Sequence, residues 1–81
     1  MRSRERIIVL LKTQVLWARL DTLGRSQNWL ARELGISRGY LSTLVNEGRA
    51  PSGRIRRRML EILGVEDFHE LFALERNVDR S

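Results

Sequence analysis

The chain has 81 residues, 42% of them hydrophobic, which suits one small folded domain near the lower size limit of a self-sufficient core. It contains no cysteine and one histidine, which excludes disulfide frameworks, thiolate metal sites and most histidine metal clusters. No apolar run approaches the roughly 20 residues of a membrane span, so we expect a cytoplasmic protein with no cofactor, no metal and no membrane contact.

The net charge of +5 is unevenly distributed. Residues 1–58 hold 13 basic and four acidic side chains, a balance of +9, whereas residues 59–81 hold two basic and six acidic ones, a balance of −4. This polarity favours a polyanion on one side of the molecule and disfavours it on the other. Fourteen of the fifteen basic residues are arginine, which suits bidentate contacts to phosphate or guanine, although a GC-rich genome would give the same bias.

The first predicted element is a helix over residues 4–23, which ends at Gly24 because glycine readily takes the left-handed conformation. Apolar residues at positions 7–11, 15–17, 20 and 23 are too many for one helical stripe, so two faces need cover. A second copy of the chain or the chain's own C-terminal helix would provide it. The β-branched Ile7, Ile8 and Val9 also allow a short strand.

Two short helices joined by a glycine turn are predicted next, over residues 26–46. Ser26 can cap the first helix, and Gly35 can end it. Ser37 can cap the second helix, whose inward stripe has i, i+3, i+4 spacing at Leu41, Leu44 and Val45. The remaining faces of the second helix carry small or polar residues that allow close approach to a ligand: Arg38, Gly39, Ser42, Thr43 and Asn46.

The fourth predicted helix begins after Pro51, with Ser52 as its cap, and ends at Gly64. Its inward residues are Ile55, Met59, Ile62 and Leu63. Its opening turns carry arginines at positions 54 and 56–58, which oppose the helix dipole at about a few tenths of a kcal/mol each. We expect bound phosphate to offset these charges; the alternative is a solvated face neutralised by Glu61 and other acids.

A fifth helix is predicted from about Asp67, where Asp67 and Glu70 resemble a capping box. Its inward residues are Phe68, Leu71, Phe72 and Leu74. Residues 75–81 are expected to fray, and no strand is predicted with the five helices.

The two central helices resemble those of the Cro/phage-repressor-like (XRE) helix-turn-helix family. The residues in matching order and spacing are Gln27, Leu30, Ala31, Leu34, Gly35, Ile36, Ser37, Leu41 and Leu44. Residues 46–52 also resemble that family's loop into its fourth helix, and the resemblance covers roughly residues 16–72. It implies an all-α, five-helix, lambda-repressor-like domain over residues 1–81, in which residues 1–11 extend the first helix.

The resemblance implies a small transcriptional regulator, a repressor of phage or mobile-element type that binds a palindromic operator in double-stranded DNA as a homodimer. The family places its second motif helix in the major groove, which implies base contacts from Ser37, Arg38, Gly39, Ser42 and Thr43. The expected phosphate contacts come from Gln27, Tyr40, Asn46, Arg49 and Arg54. Arg38 suits guanine best, because its fork can meet both acceptors, although it could hold a phosphate instead.

Other features leave the partners open. The expected dimer or packing surface comprises Ile7, Ile8, Leu11 and Trp29, and Trp29 departs from the polar residue usual in the family. Arg25 stands where the family often has an apolar residue. An enzyme is not expected, because no nucleophile and base are paired in the sequence. The serious alternative is an antitoxin-like interaction module whose acidic C-terminal helix, over residues 66–79, binds a partner protein.

Overall fold

A computed structural model describes residues 4–79, with side chains for residues 7–76. Residues 1–3, 80 and 81, which belong to the predicted domain and tail, lie outside the described residues. In chain order the elements are β1 (Arg4–Leu11), α1 (Thr13–Leu23), α2 (Gln27–Leu34), α3 (Arg38–Glu47), α4 (Gly53–Leu63), α5 (Phe68–Leu71) and β2 (Phe72–Asp79).

The two ends of the described chain form a two-stranded antiparallel sheet. The register pairs Arg4 with Asp79 at one end and Leu11 with Phe72 at the other. The predicted five helices are present, but the all-α class and the extended first helix are wrong, since residues 4–11 form a strand and α1 begins at Thr13. The β-branched residues favour extended backbone, and β2 supplies the partner that a strand requires. The chain's own C-terminal segment thus covers the N-terminal one, as a strand and not as a helix.

The C-terminal segment also differs from its prediction. The fifth helix ends at Leu71, and residues 75–79, which were expected to fray, belong to β2. Phe72 is fully buried as predicted, but Leu74 is 53% exposed. Residues two apart in a strand share a face, so β2 leaves the core within two residues of Phe72.

The predicted ends of α2 and the predicted start of α3 are confirmed. Ser26 and Ser37 cap α2 and α3, and each hydroxyl accepts from the third backbone N–H of its helix at 3.0 Å. Gly35 ends α2 in the left-handed region, at φ 73°. Ser52 occupies the cap position of α4, but its side chain makes no cap hydrogen bond. Three of the helix boundaries thus rest on local chemistry that the sequence displays.

The core lies between the five helices and the inner end of the sheet. Its fully buried large side chains are Leu16, Leu30, Leu41, Met59, Leu63, Leu71 and Phe72. The radius of gyration, 14.0 Å, exceeds the roughly 12 Å typical of a compact domain of this length. The outer end of the sheet stands away from the core, since Ile7 is 61% exposed. In the described part of the chain, every helix falls short of the length and apolar content that crossing a membrane requires.

The inner end of the sheet is attached to the C-terminal end of α3. Leu11 N donates to Gly48 O at 3.0 Å, and Ala50 N donates to Val9 O at 3.4 Å. The Thr13 hydroxyl donates to Val45 O in the last turn of α3 at 2.9 Å. These bonds fix the end of α3 relative to β1 and α1.

Candidate nucleic-acid interface

Helix α3 is buried along one side and open along the other. Leu41, Leu44 and Val45 are 0%, 5% and 3% exposed. At about 100° per residue, the opposite side holds one continuous face formed by Arg38, Gly39, Ser42, Thr43 and Asn46. All five are exposed except Ser42, which is half-buried. The structure therefore brings together four predicted base-contact residues and one predicted phosphate-contact residue, with exposed Ser37 immediately before them.

Hydrogen bonds within this face determine which groups remain available. The Thr43 hydroxyl donates to Gly39 O at 3.0 Å, so its methyl group and oxygen lone pairs are left for a ligand. Asn46 Nδ2 donates to Ser42 Oγ at 3.4 Å. Ser37 Oγ accepts from Tyr40 N, and its own hydrogen remains free to donate. The face therefore offers donors, acceptors and a methyl group in one short helix.

Arg38 lies at the start of α3 beside a shallow groove between α2 and α3. The groove is lined by Asn28, Ala31, Arg32, Ile36, Ser37 and Arg38. Within the described part of the chain, neither the Arg32 nor the Arg38 guanidinium group has a hydrogen bond or ion pair. Two unneutralised guanidinium groups therefore flank the groove, and both can meet an anion. Arg32 was not among the predicted contact residues. It lies four residues after Asn28, so both side chains are on the same side of α2, and this spacing is the signal that could have found it.

Gly39 lies in the middle of the open face. A Cβ added there would meet nothing within 4 Å. The fold of the free protein therefore does not require glycine at this position.

The predicted phosphate contacts lie around α3. Gln27 is the first residue of α2 and is half-buried, whereas Tyr40 is 47% exposed on α3. Arg49 follows α3 and pairs with Glu47 at 3.3 Å. Both partners of that pair are exposed, so the pair is weak and leaves Arg49 able to change partner. Arg54, in the first turn of α4, is exposed.

The four arginines of α4 divide into two kinds. Arg56 donates to Pro51 O at 2.8 Å, and Arg58 pairs with Glu61 at 3.5 Å. Arg54 and Arg57 have no such partner among the described residues. The ion pair with Glu61 thus offsets one of the four charges, and the bond to Pro51 O holds Arg56 without neutralising it. The charges of Arg54 and Arg57 remain unpaired among the described residues.

The four residues expected to form a dimer or packing surface do not share one surface. Leu11 is 4% exposed and belongs to the core, and half-buried Trp29 packs against that core. The Arg25 guanidinium lies 5.0 Å from the centre of the Trp29 ring, which explains how a cation is accommodated at position 25. Ile7 and Ile8 are neighbours in β1 and therefore lie on opposite faces of the sheet.

Three polar side chains that support the site have no local signal in the sequence. Thr13 contacts the last turn of α3, as described above. Arg19 donates to Leu63 O at 2.8 Å and Gly64 O at 3.0 Å, at the C-terminal end of α4, where a cation is favourable. Trp17 Nε1 donates to Gln27 Oε1 at 3.4 Å. Because the partners are 10 to 45 residues away, only the folded chain shows these contacts.

Two short helices joined by a glycine turn, with one side of the second buried and the other open and polar, define a helix-turn-helix protein. The helix-turn-helix family profile matches residues 16–68. The chain belongs to this family, in its Cro/C1-type (XRE) group, which indicates a DNA-binding regulator of transcription. No curated protein and no solved structure matches the chain. The matched segment begins within α1 and ends at the first residue of α5, so neither strand belongs to it.

Proposed function

We propose that the protein is a transcriptional repressor that binds a palindromic operator as a homodimer, with α3 in the major groove. The observation that carries this proposal is the open face of α3, on which Arg38 and its small polar neighbours lie together. A folding role does not explain the face, because the opposite stripe of α3 supplies all of its core contacts.

Sequence would be read by the N-terminal half of α3. The Arg38 guanidinium can donate to both major-groove acceptors of guanine, which is worth roughly 1–3 kcal/mol of discrimination. The Thr43 methyl group suits the thymine methyl, and the free Ser37 hydroxyl hydrogen can donate to a base or a phosphate. Gly39 and Ser42 allow the helix backbone to approach the bases closely.

Phosphate contacts would hold the helix in register on both sides. Gln27 would act at the start of α2, and Tyr40 and Asn46 would act from α3. Arg49 and Arg54 would supply positive charge beyond the end of α3. Such contacts fix orientation and contribute affinity that does not depend on sequence.

The small size of this reading face supports the proposal of a dimer. One copy offers a single arginine to the bases, and two-fold symmetry would double the contacts with helices about 34 Å apart. Ile7 and Leu74, which are 61% and 53% exposed, lie on the same face of the sheet because Leu74 pairs with Val9. This apolar face is the proposed contact between the copies.

The test is selection of bound duplexes from a random pool, followed by titration of the selected operator. We expect a two-fold symmetric sequence and a log–log salt slope of roughly −5 or steeper for a dimer. Arg38→Ala should reduce discrimination between operator and unrelated DNA by roughly 1–3 kcal/mol for each guanine contact, or about 5- to 150-fold.

Arg54→Ala is the matched control, because it removes the same charge outside the reading face. It should weaken binding to all duplexes alike and reduce the salt slope by about 1 per copy, or about 2 for the dimer. Full operator discrimination by Arg38→Ala would contradict base reading by this residue. Equal binding of wild type to all duplexes would contradict the repressor proposal.

A partner-binding role is the second candidate, in an altered form. The acidic C-terminal helix predicted for it is wrong, since helix α5 comprises only Phe68–Leu71 and β2 follows. The observation that favours this role is the outer edge of β2, which has no neighbouring strand in the described part of the chain. An unpaired edge can accept a strand from another protein. A selection that returns no preferred DNA sequence would favour this function.

A further inference from the structure

Trp17 connects α1 to the start of α2 at the edge of the proposed interface. Its indole Nε1 donates to Gln27 Oε1 at 3.4 Å. Trp17 is 50% exposed, whereas its neighbour Leu16 is fully buried. Core packing therefore does not explain why such a large aromatic side chain stands at position 17.

The hydrogen bond orients the Gln27 side-chain amide. A primary amide has one acceptor oxygen and two donor hydrogens. Because the oxygen accepts from Trp17, the Nε2 hydrogens remain to donate to another group. The opposite orientation would direct an acceptor toward the ligand, and a phosphate oxygen can only accept.

The surroundings of this pair suit an anion at the start of α2. A shallow concavity is lined by Trp17, Ala18, Leu20, Asp21, Arg25 and Gln27. Arg25 contributes a cation that lies over the Trp29 ring at 5.0 Å. Asp21 contributes an opposing negative charge. The helix N-terminus adds partial positive charge, and Gln27 supplies the directed donor.

We propose that Trp17 is a positioning residue that holds the Gln27 amide in the orientation needed to donate to an operator phosphate. This inference rests on the proposed DNA binding. It assigns to Trp17 a role in affinity that requires no contact between Trp17 and the DNA.

A double-mutant cycle tests this role on the selected operator. Gln27→Ala should weaken binding of the dimer about thirtyfold, because one hydrogen bond of about 1 kcal/mol is lost in each of the two copies. Trp17→Phe keeps an aromatic ring but removes the N–H, and should weaken binding of the dimer about four- to thirtyfold by the same reasoning. The double variant should bind no more weakly than Gln27→Ala, because both changes disable one contact. Trp29→Phe is the matched control, and its effect should add to that of Gln27→Ala.

Operators with one methylphosphonate in each half-site, at symmetry-related positions, provide a readout that a purely structural role would not change. One such pair of positions should abolish the effects of both Trp17→Phe and Gln27→Ala, since the phosphate that accepts from Gln27 is altered in both half-sites. Neither variant should change the salt slope, because neither removes a charge.

Additive losses in the cycle, or an unchanged affinity of Trp17→Phe, would overturn the inference while leaving the DNA-binding proposal intact. Failure of wild type to select any operator would instead contradict the proposed function itself. Should Trp17→Phe not fold, Gln27→Glu provides the second variant, because it keeps the acceptor for Trp17 and removes the donor. Gln27→Glu should bind at least as weakly as Gln27→Ala, and wild-type affinity would overturn the inference.

Discussion

The helix-turn-helix and the sheet of this protein depend on opposite kinds of contact. Helices α2 and α3 are adjacent in sequence, and each begins at a serine cap and ends at a glycine. The sheet instead joins residues 4–11 to residues 72–79, so the whole helical region separates its strands. The helix-turn-helix, which we propose reads DNA, therefore depends on residues close together in the sequence. The sheet that attaches to its C-terminal end depends on residues far apart.

The two regions meet at the C-terminal end of α3. There Leu11 and Val9 form backbone hydrogen bonds with the segment after α3, and Thr13 contacts Val45. The sheet is buried at this end and exposed at the other. Its contribution to the stability of the helical region should accordingly be concentrated at the inner end.

The largest expected effect tests whether the inner end of the sheet stabilises the domain more than the outer end. Phe72→Ala removes a fully buried ring at the inner end of the sheet, and should reduce the free energy of unfolding by about 3–5 kcal/mol. Leu74→Ala is the control on the same strand and face, and in the monomeric chain it should cost well under about 1 kcal/mol because its side chain is half exposed. Urea unfolding followed by circular dichroism measures both. Equal losses would show that the outer sheet stabilises the domain as strongly as the inner end.

The next largest effect tests whether a serine cap stabilises the start of α3. Ser37→Ala removes a side-chain cap of α3 and should cost about 1 kcal/mol of unfolding free energy. Ser52→Ala is the matched change at the start of α4, where the hydroxyl makes no cap bond, and should change stability by less than about 0.5 kcal/mol. Thermal melting of the two variants makes the comparison. A larger loss for Ser52→Ala would mean that Ser52 caps α4 in solution.

The ends and inward faces of the helices could be predicted because they depend on residues within a few positions. Ser26, Gly35 and Ser37 act on the backbone beside them, and the apolar stripe of α3 follows helical spacing alone. The same local information predicted which residues lie on the open side of α3, and base reading by them stays a prediction. It also supported the family assignment, since the matched residues 16–68 include all of α2, α3 and α4.

The sheet and its attachments could not be predicted in this way. The apolar residues 7–11 suit either a helix or a strand, and only pairing with β2 decides between them. Leu74 lies three residues after Leu71, a helical spacing that predicts a place in the core. The backbone is extended from Phe72 onward, so helical spacing does not apply to Leu74. The bond from Trp17 to Gln27 depends on how α1 crosses α2, which no short window of sequence contains.

A smaller effect should come from the hydrogen bond that joins α1 to the last turn of α3. Thr13→Val keeps the side-chain volume but removes the part-buried bond to Val45 O, and should cost about 1 kcal/mol. Thr22→Val is the control on the same helix, because the Thr22 bond to Ala18 O is exposed and lies within α1. Hydrogen exchange should show faster opening in the last turn of α3 for Thr13→Val only. Unchanged hydrogen exchange there would show that the stability of the last turn of α3 does not depend on its attachment to α1.

The smallest expected change in stability is at Gly39. Alanine has the higher helix propensity and its Cβ meets no neighbour, so Gly39→Ala should stabilise the free protein by up to about 1 kcal/mol. If α3 approaches the bases closely, the same methyl group should weaken operator binding. Melting temperature and DNA titration should therefore change in opposite directions. Unchanged affinity would show that the middle of the α3 face stays clear of the DNA.

The pairing of the two chain ends has a consequence during synthesis. Strand β1 leaves the ribosome first, and its partner follows only after residues 12–71 have been added. At about 5–20 residues per second, this delay lasts roughly 3–12 s. Throughout that interval the apolar residues of β1 have an unpaired edge, while α2 and α3 can already form. Neighbouring nascent chains on one messenger RNA would then be able to pair with each other through β1. The amount of such misassembled protein should depend on the translation rate and on the spacing of ribosomes.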